Sequence, residues 1–344
     1  MHAPYRLPLC HRGWLAACVL AITCADAMAF DCPPPSTGLQ DIKGIGYYSD
    51  AAGSVRDPQK YAESHALTKP FEDFATQVAK SSDRFLSKND PDAAACTIAW
   101  LDRWAQDRAM LGKMIRINND QAEYTRKWTN ASAAIAWNKV RSRASADQRA
   151  RIDAWLKAVS VATLAYWQDK PKEKHNNHYY WTGVGVMATA VATGDAALLA
   201  EARRVYDSGL AEIRDDGTLP LEMARGIRAL HYHNFAAMPL VMMAEMARKT
   251  GQNWFAARNA RLGLLVDRVV IGLQDPGWFD KSAGAAPQII PAPKDLAWLQ
   301  IYRTRVPGDA TVARQPESDA SGYIRDLGGS IPLMLAKGTF NVGH

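Results

Sequence analysis

Apolar residues along this chain recur every three or four positions, and no stretch alternates between apolar and polar for long enough to make a half-buried strand. Ile152, Trp155, Leu156, Val159 and Thr163 keep the helical spacing, and so do Leu198, Leu199, Ala202, Val205 and Tyr206. The same pattern predicts helices over 57–87, 92–110, 119–143, 147–169, 222–249 and 253–273. Pro70 is a candidate break in the first of these. Asp195, after Gly194, is a cap for the helix that follows it. The loops are short and polar (SKNDPD, SASADQ, DDGTLP), and helices joined by short loops pack as antiparallel pairs. There is no Asn-Gly hairpin signal and no fixed-period repeat, which argues against a solenoid. The expectation is an all-α fold: an incomplete α/α toroid of antiparallel helix pairs, built as one domain over residues 30–344.

Residues 1–29 stand apart because they read as a signal peptide. Arg6 and Arg12 lead into a short apolar run from Gly13 to Ala25, and Ala27-Met28-Ala29 is a small-x-small cleavage site. The run is short for a bilayer span. Cleavage near Ala29 puts the mature chain in the periplasm or outside the cell, with no membrane attachment. It removes Cys10, Cys18 and Cys24 and leaves Cys32 and Cys96 in an oxidising compartment, so a disulfide between those two is expected. Losing two arginines and one aspartate takes the formal charge from +6 to +5. A mildly basic exported chain fits an anionic polymer as partner. Nucleic acid is not expected, since zinc-finger spacing, RNP-like motifs and basic helices with interleaved aromatics are all missing from the sequence.

Two segments carry no helical pattern. One is GYYSDAAGSVRDPQK (46–60); the other is 275–295, with Pro276, Pro287, Pro291 and Pro293. Loops of that length in a compact domain are lids, binding loops or plain connectors. Two polar clusters draw attention. KEKHNNHYYW (172–181) sits where a loop enters an apolar, small-residue helix. LEMARGIRALHYHNFA (221–236) sets Arg225 and Tyr232 seven residues apart, which on one continuous α-helix is one face, with Arg228 and His231 beside it. His231 and His233 would point apart on that helix, and no CxxC or HExxH occurs, so no metal site is expected. A glycoside hydrolase would need two facing carboxylates. Asp215 and Asp216 instead read as turn residues, and Glu222 as a helix-start acid. No GxSxG elbow is present.

A set of Asn, His, Arg and Tyr suits β-elimination on a uronic acid polymer. The proton at C5 is a poor acid while the neighbouring carboxylate is ionised and unpaired. Amide, guanidinium and imidazole groups can neutralise that carboxylate and stabilise the enolate-like intermediate. A phenol can then carry protons at the scissile bond.

NNHYYW, LPLEMARGIRALHYHNFA and YYSDAAGSV resemble the periplasmic alginate lyases of polysaccharide lyase family five, from about Ile42 to about Phe279 and most strongly over 174–246. The resemblance implies an α/α toroid that cleaves mannuronate-rich polymer with no required metal and no cofactor, acting as a monomer. Carried over residue by residue, it implies that Asn177 and Arg225 neutralise the substrate carboxylate. It implies that His178 does the same or serves as base for one epimer, and that Tyr232 protonates the leaving oxygen. In mannuronate the C5 proton and the C4 oxygen lie on one side of the ring, so one phenol could act first as base and then as acid. Tyr48 matches a lid tyrosine, with Tyr47 beside it; Tyr180 and Trp181 are expected to offer faces to sugar rings, and Arg228 and His231 to bind substrate. Two departures bear on specificity. The alginate-biosynthesis members often carry Lys or Arg just before the lid tyrosine, where this chain has Tyr47, and many members read RLGG near the C-terminus, where this chain reads Ile324-Arg325-Asp326-Leu327-Gly328-Gly329. A relative acting on polyglucuronate or hyaluronan is therefore the alternative within the class. A glycoside hydrolase or a binding protein without catalysis would lie outside it.

Overall fold

The computed structural model describes Met1, residues 30–313 and residues 322–341. Apart from Met1, the stretch expected to be a signal peptide lies outside the described residues. The fold is built from helices α1 (Pro58–Lys88), α2 (Pro91–Gln106), α3 (Gln121–Val140), α4 (Ala146–Gln168), α5 (Asn177–Thr193) and α6 (Ala196–Glu212). After these come α7 (Pro220–Met223), α8 (Ala229–Ala247), α9 (Ala257–Gln274), α10 (Gly277–Ser282), α11 (Leu299–Arg305), α12 (Ala310–Ala313) and α13 (Ile331–Ala336). The starts follow local chemistry. Asp57 caps α1, Asp90 caps α2, Ser145 and Gln148 make a capping box on α4, and Asp195 caps α6 after Gly194 ends α5 in a left-handed conformation.

Helices α1, α3, α5 and α8 pack side by side in that order as an inner row, backed by α2, α4, α6 and α9. The sequence separates the rows. Helices α3 and α8 are buried on almost every face, whereas α4 and α6 bury a single stripe. The gap between α8 and α1 is spanned by α11 against α8 and α13 against α1, so the ring is an incomplete toroid, as expected. Aromatic residues fill the space between rows: Phe74 of α1 stacks on Trp104 of α2 at 3.6 Å, and Trp137, Trp181, Trp254 and Trp298 are fully buried. The N-terminal arm is strapped to α2 by the expected Cys32–Cys96 disulfide, and Trp100 Nε1 donates to the Pro33 carbonyl at 3.0 Å. Among the described residues no helix is long and apolar enough to cross a membrane.

Three expectations about local structure need correction. Pro70 does not end the first helix. It is exposed, and so is Ala66, whose carbonyl loses its helical donor, so water can replace the missing bond while Phe71 and Phe74 hold the inner face. The helix expected over 222–249 is broken into α7, a 3-10 turn at Gly226–Arg228, and α8, with Gly226 at φ +54°. Short strands do occur. β1 (Ile42–Ile45) pairs in parallel with β2 (Met114–Ile117), and β3 (Tyr323–Ile324) pairs antiparallel with β4 (Gly329–Ser330). β1 and β2 are four residues each and far apart in sequence, and β3 and β4 are two residues each, so none leaves an alternation to read.

Candidate active site

The inner helices α1, α3, α5 and α8 present their N-terminal portions to one cleft of about 610 Å³. Tyr61 and His65 come from α1, Gln121, Tyr124 and Trp128 from α3, Asn176 and His178 from the start of α5, and His231, Tyr232 and Phe235 from α8. Helix N-termini carry partial positive charge, so this arrangement favours an anion before any side chain is counted. Arg56 and Arg225 add formal charge to the wall.

The loop between β1 and α1 covers the cleft. Its shape is set by Asp50, whose carboxylate accepts from the Ser54 amide at 2.8 Å, the Ser54 hydroxyl at 2.7 Å and the Val55 amide at 2.7 Å. Two arginines seat it: Arg225 Nη2 donates to the Gly53 carbonyl and Arg228 Nε to the Ser54 carbonyl, each at 2.7 Å. Only glycine suits position 53, because φ is +62° and a Cβ there would lie 2.7 Å from Arg225 Nη2. The seated loop brings the Tyr48 hydroxyl to 2.7 Å from the Tyr232 hydroxyl.

Arg225 and Tyr232 do meet, by a different route from the one the spacing implied. Arg225 lies before the 3-10 turn, outside α8, and the bend at Gly226 folds its guanidinium over the Tyr232 ring, 3.6 Å from the ring centre. Among the described residues its buried Nε has no hydrogen-bond partner. Burial pushes the Tyr232 phenol above its ordinary value; the Arg225 charge opposes this, and the Tyr48 hydroxyl adds to the rise.

His178 sits one residue into α5, its amide held by the Asn176 side chain at 3.0 Å. Its ring stacks on Tyr124 at 3.7 Å, and its Nδ1 lies 2.6 Å from Lys127 Nζ. Burial, then the charges of Lys127 and Arg225, hold the imidazole well below the usual histidine range. His231 is also on the wall, lowered to about 4 by burial and then by Arg228, Arg56 and Arg225. His233 faces the other way, fully buried, accepting from the Leu219 amide at 2.9 Å and pairing with the Ala229 carbonyl at 2.8 Å.

Four expected site residues are placed differently. Tyr180 and Trp181 are 1% exposed and form core; Trp181 Nε1 donates to the Phe235 carbonyl, and the Tyr180 ring packs on Gly209. They cannot offer faces to sugars, because α5 is enclosed by α3, α4, α6 and α8. Arg228 stands behind the covering loop, holding it from beneath. Asn177 is fully buried, with its amide nitrogen at 3.0 and 2.9 Å from the two carboxylate oxygens of Glu222 and its Oδ1 without a partner among the described residues. Glu222 does begin a helix, as read, but it is also the buried acceptor for the Asn177 backbone amide at 2.9 Å. Tyr47 and Tyr48 line the cleft.

The sequence reading missed Tyr124, Lys127 and Trp128, whose spacing on α3 looks like any helix face. It also missed Tyr61 and Arg56, which stack at 4.3 Å. Arg325 and Asp326, at one of the two departures, do line the cleft, and Arg325 is occupied by Glu72 at 2.9 Å and Asp326 at 2.7 Å.

The alginate lyase family profile matches residues 41–279. A polysaccharide lyase of Stenotrophomonas maltophilia is 47% identical over 329 residues, covering 94% of this chain and 97% of that one. An alginate lyase of Pseudomonas fluorescens is 32% identical over 278 residues, covering 78% and 74%. Among solved structures, alginate lyase A1-III from Sphingomonas species A1 superposes with a TM-score of 0.72 at 25% identity, covering 88% of this chain and 86% of that one. A tyrosine-to-phenylalanine variant of A1-III, complexed with tetrasaccharide, superposes with a TM-score of 0.74 at 25% identity, covering 88% and 85%. By family profile, relatives and fold together, the chain belongs to the alginate lyase family.

Proposed function

We propose that this polysaccharide lyase cleaves alginate in its mannuronate-rich stretches by β-elimination, with Tyr232 as the proton carrier and Arg225 and His178 as partners of the substrate carboxylate. The observation that carries the reading is the stack of Arg225 on Tyr232, at 3.6 Å, beneath a loop that sets the Tyr48 hydroxyl 2.7 Å from the Tyr232 hydroxyl. It puts a fixed cation and a phenol in one water-poor corner.

In the proposed reaction the Tyr232 phenolate takes the C5 proton. The electron pair of that C–H bond moves into the carboxylate, where the Arg225 guanidinium and the His178 imidazole stabilise the added charge. Collapse of this intermediate forms the C4–C5 double bond and breaks the C4–O bond. The departing oxygen takes the proton from the Tyr232 phenol, which returns to phenolate for the next cycle. The Arg225 cation favours the phenolate; burial favours the phenol. The phenolate fraction then grows with each step upward in pH, so kcat/KM on polymannuronate should climb with pH through neutrality and beyond. Asn177, with its amide committed to Glu222, acts from behind by fixing the start of α5 on which His178 rides.

A second reading within the class has support of its own. Arg325 is neutralised by Glu72 and Asp326, and Tyr47 stands where, by the family resemblance, the alginate-biosynthesis members often carry a lysine or arginine. A site with fewer free cations along the groove demands less of the polymer's charge spacing, which fits acceptance of polyglucuronate, whose C4 and C5 have the mannuronate configuration. Incubation with purified polymannuronate, polyguluronate, polyglucuronate and hyaluronan, followed by ultraviolet absorbance of the unsaturated product, tests both. Polymannuronate should be cleaved fastest. Reducing ends without that absorbance, on every polymer, would overturn the elimination.

A further inference from the structure

Lys127 is 2% exposed, yet among the described residues no carboxylate lies within ion-pair distance of it. Its Nζ meets three side chains: the Tyr124 ring centre at 4.1 Å, the Trp128 ring centre at 4.8 Å and His178 Nδ1 at 2.6 Å. The two rings are a cage for a cation. At 2.6 Å the contact to Nδ1 is shorter than the roughly 2.9–3.0 Å usual for N–H donors. An ammonium has three donors and no acceptor, so in this contact the imidazole nitrogen accepts. Burial drives Lys127 toward the neutral amine; the charges of Asp120, Glu123 and Asp326 and the aromatic cage oppose it.

The imidazole that accepts this bond is itself neutral. The ionisable groups facing it are Lys127 on α3 and Arg225 ahead of α8, and the rings of Tyr124 and Trp128 on α3 pack against it. A neutral imidazole has one nitrogen with a proton and one without. With Nδ1 accepting, the proton is on Nε2, at the opposite edge of the ring, where His178 borders the cleft.

We infer that Lys127 is a positioning residue that fixes His178 as the Nε2–H tautomer, making it a hydrogen-bond donor to the substrate carboxylate and barring it from acting as a base at C5. This rests on the site proposed above. It settles which of two roles His178 takes, and it leaves Tyr232 as the sole acceptor of the C5 proton. Substrates must then present that proton on the same side as the C4 oxygen. Mannuronate and glucuronate do so; guluronate, the C5 epimer, does not.

The test is the tautomer itself, read from the two ring-nitrogen shifts of His178 in the full chain labelled with nitrogen-15 histidine and assigned with His178→Gln. The wild type should show a protonated Nε2 and a bare Nδ1 that do not change across neutral pH. Lys127→Met, which removes the donor, should mix the tautomers and let the ring titrate nearer the ordinary histidine range. It should lower kcat about ten- to hundredfold, as loss of a partner that orients a functional histidine does, with KM little changed. Lys127→Gln, which keeps an N–H donor, should restore the Nε2–H tautomer and recover most of the loss. A protonated Nδ1 in the wild type would overturn the inference even if Lys127→Met fails to fold, and so would a Lys127→Met variant with an unchanged tautomer and kcat. Full activity in His178→Ala would instead overturn the site reading, whichever tautomer is found.

Discussion

Lys127 and Lys139 lie on the same helix, both buried, and meet opposite surroundings. Lys139 Nζ donates to Asp83 at 2.6 Å and to the Gly328 carbonyl at 2.6 Å, tying α3 to α1 and to the segment after the 3-10 turn at Arg325–Leu327. Lys127 meets an imidazole and two aromatic faces. The histidines repeat the contrast: His233 has both ring nitrogens bonded to backbone, while His178 is bonded only on its buried edge. A buried ion without an opposite charge costs several kcal/mol. A fold can bear that where the group serves chemistry and gains nothing from it elsewhere. The C-terminal half of α3 holds the toroid together; its N-terminal half gives up some of that stability to keep a polar group available to the cleft.

The comparison breaks most sharply at Tyr232. Tyr232→Phe removes one hydroxyl from the cleft end and keeps the ring under Arg225. Turnover should fall by about 10²–10⁴, the usual contribution of general acid–base catalysis, with affinity for an oligouronate and the unfolding midpoint little changed. Initial rates by ultraviolet absorbance and a binding titration check this. Retention of more than about a tenth of wild-type turnover would remove the phenol from the proton path.

The fold end should respond in the other currency. Lys139→Met leaves Asp83 without its cation. Losing one partner of a buried pair costs about 3–5 kcal/mol, and the lower end applies here, because Asp83 is 13% exposed and keeps the Ser330 amide at 2.7 Å. A loss of about 3 kcal/mol in denaturant unfolding is expected, with kcat of the folded enzyme within a few-fold of wild type. Lys127→Met should show the reverse: it removes a buried ion that has no opposite charge, so stability should hold or rise despite the acceptor left on His178, while kcat falls markedly. Equal stability losses for the two variants would erase the distinction between the ends.

The same contrast explains what could be read from the sequence. Helical spacing and short loops gave the toroid, because each outer helix buries one stripe and each pair must cover it. The two polar motifs pointed to the cleft because they stand at the starts of α5 and α8, where inner helices open. Arg225 and Tyr232 were paired for the wrong reason: the spacing assumes a continuous helix, and Gly226 breaks it. Tyr180 and Trp181 were misplaced because a motif does not say which of its aromatics an enclosed helix turns inward. Lys127 was invisible because a lysine between charged and aromatic residues on a helix reads as surface, and only the packing of α5 against α3 buries it.

The smallest effect expected is at the covering loop, and it tests how far the cleft end extends. Tyr48 reaches Tyr232 through its hydroxyl, but the loop that carries it is held elsewhere, by Arg225 on Gly53, Arg228 on Ser54 and the Asp50 carboxylate on Ser54 and Val55. Tyr48→Phe should therefore leave the loop seated and remove a single hydroxyl–hydroxyl bond. A hydrogen bond of this kind contributes about 0.5–1.5 kcal/mol net, so kcat should fall about two- to tenfold, with KM for polymannuronate nearly unchanged because the ring stays beside Tyr47 and over the Arg225 guanidinium. Steady-state kinetics on that polymer decide it. A fall beyond a hundredfold would make Tyr48 a second proton carrier and extend the reacting site into the loop. An unchanged kcat would confine it to the starts of α5 and α8, with the loop serving only to exclude water.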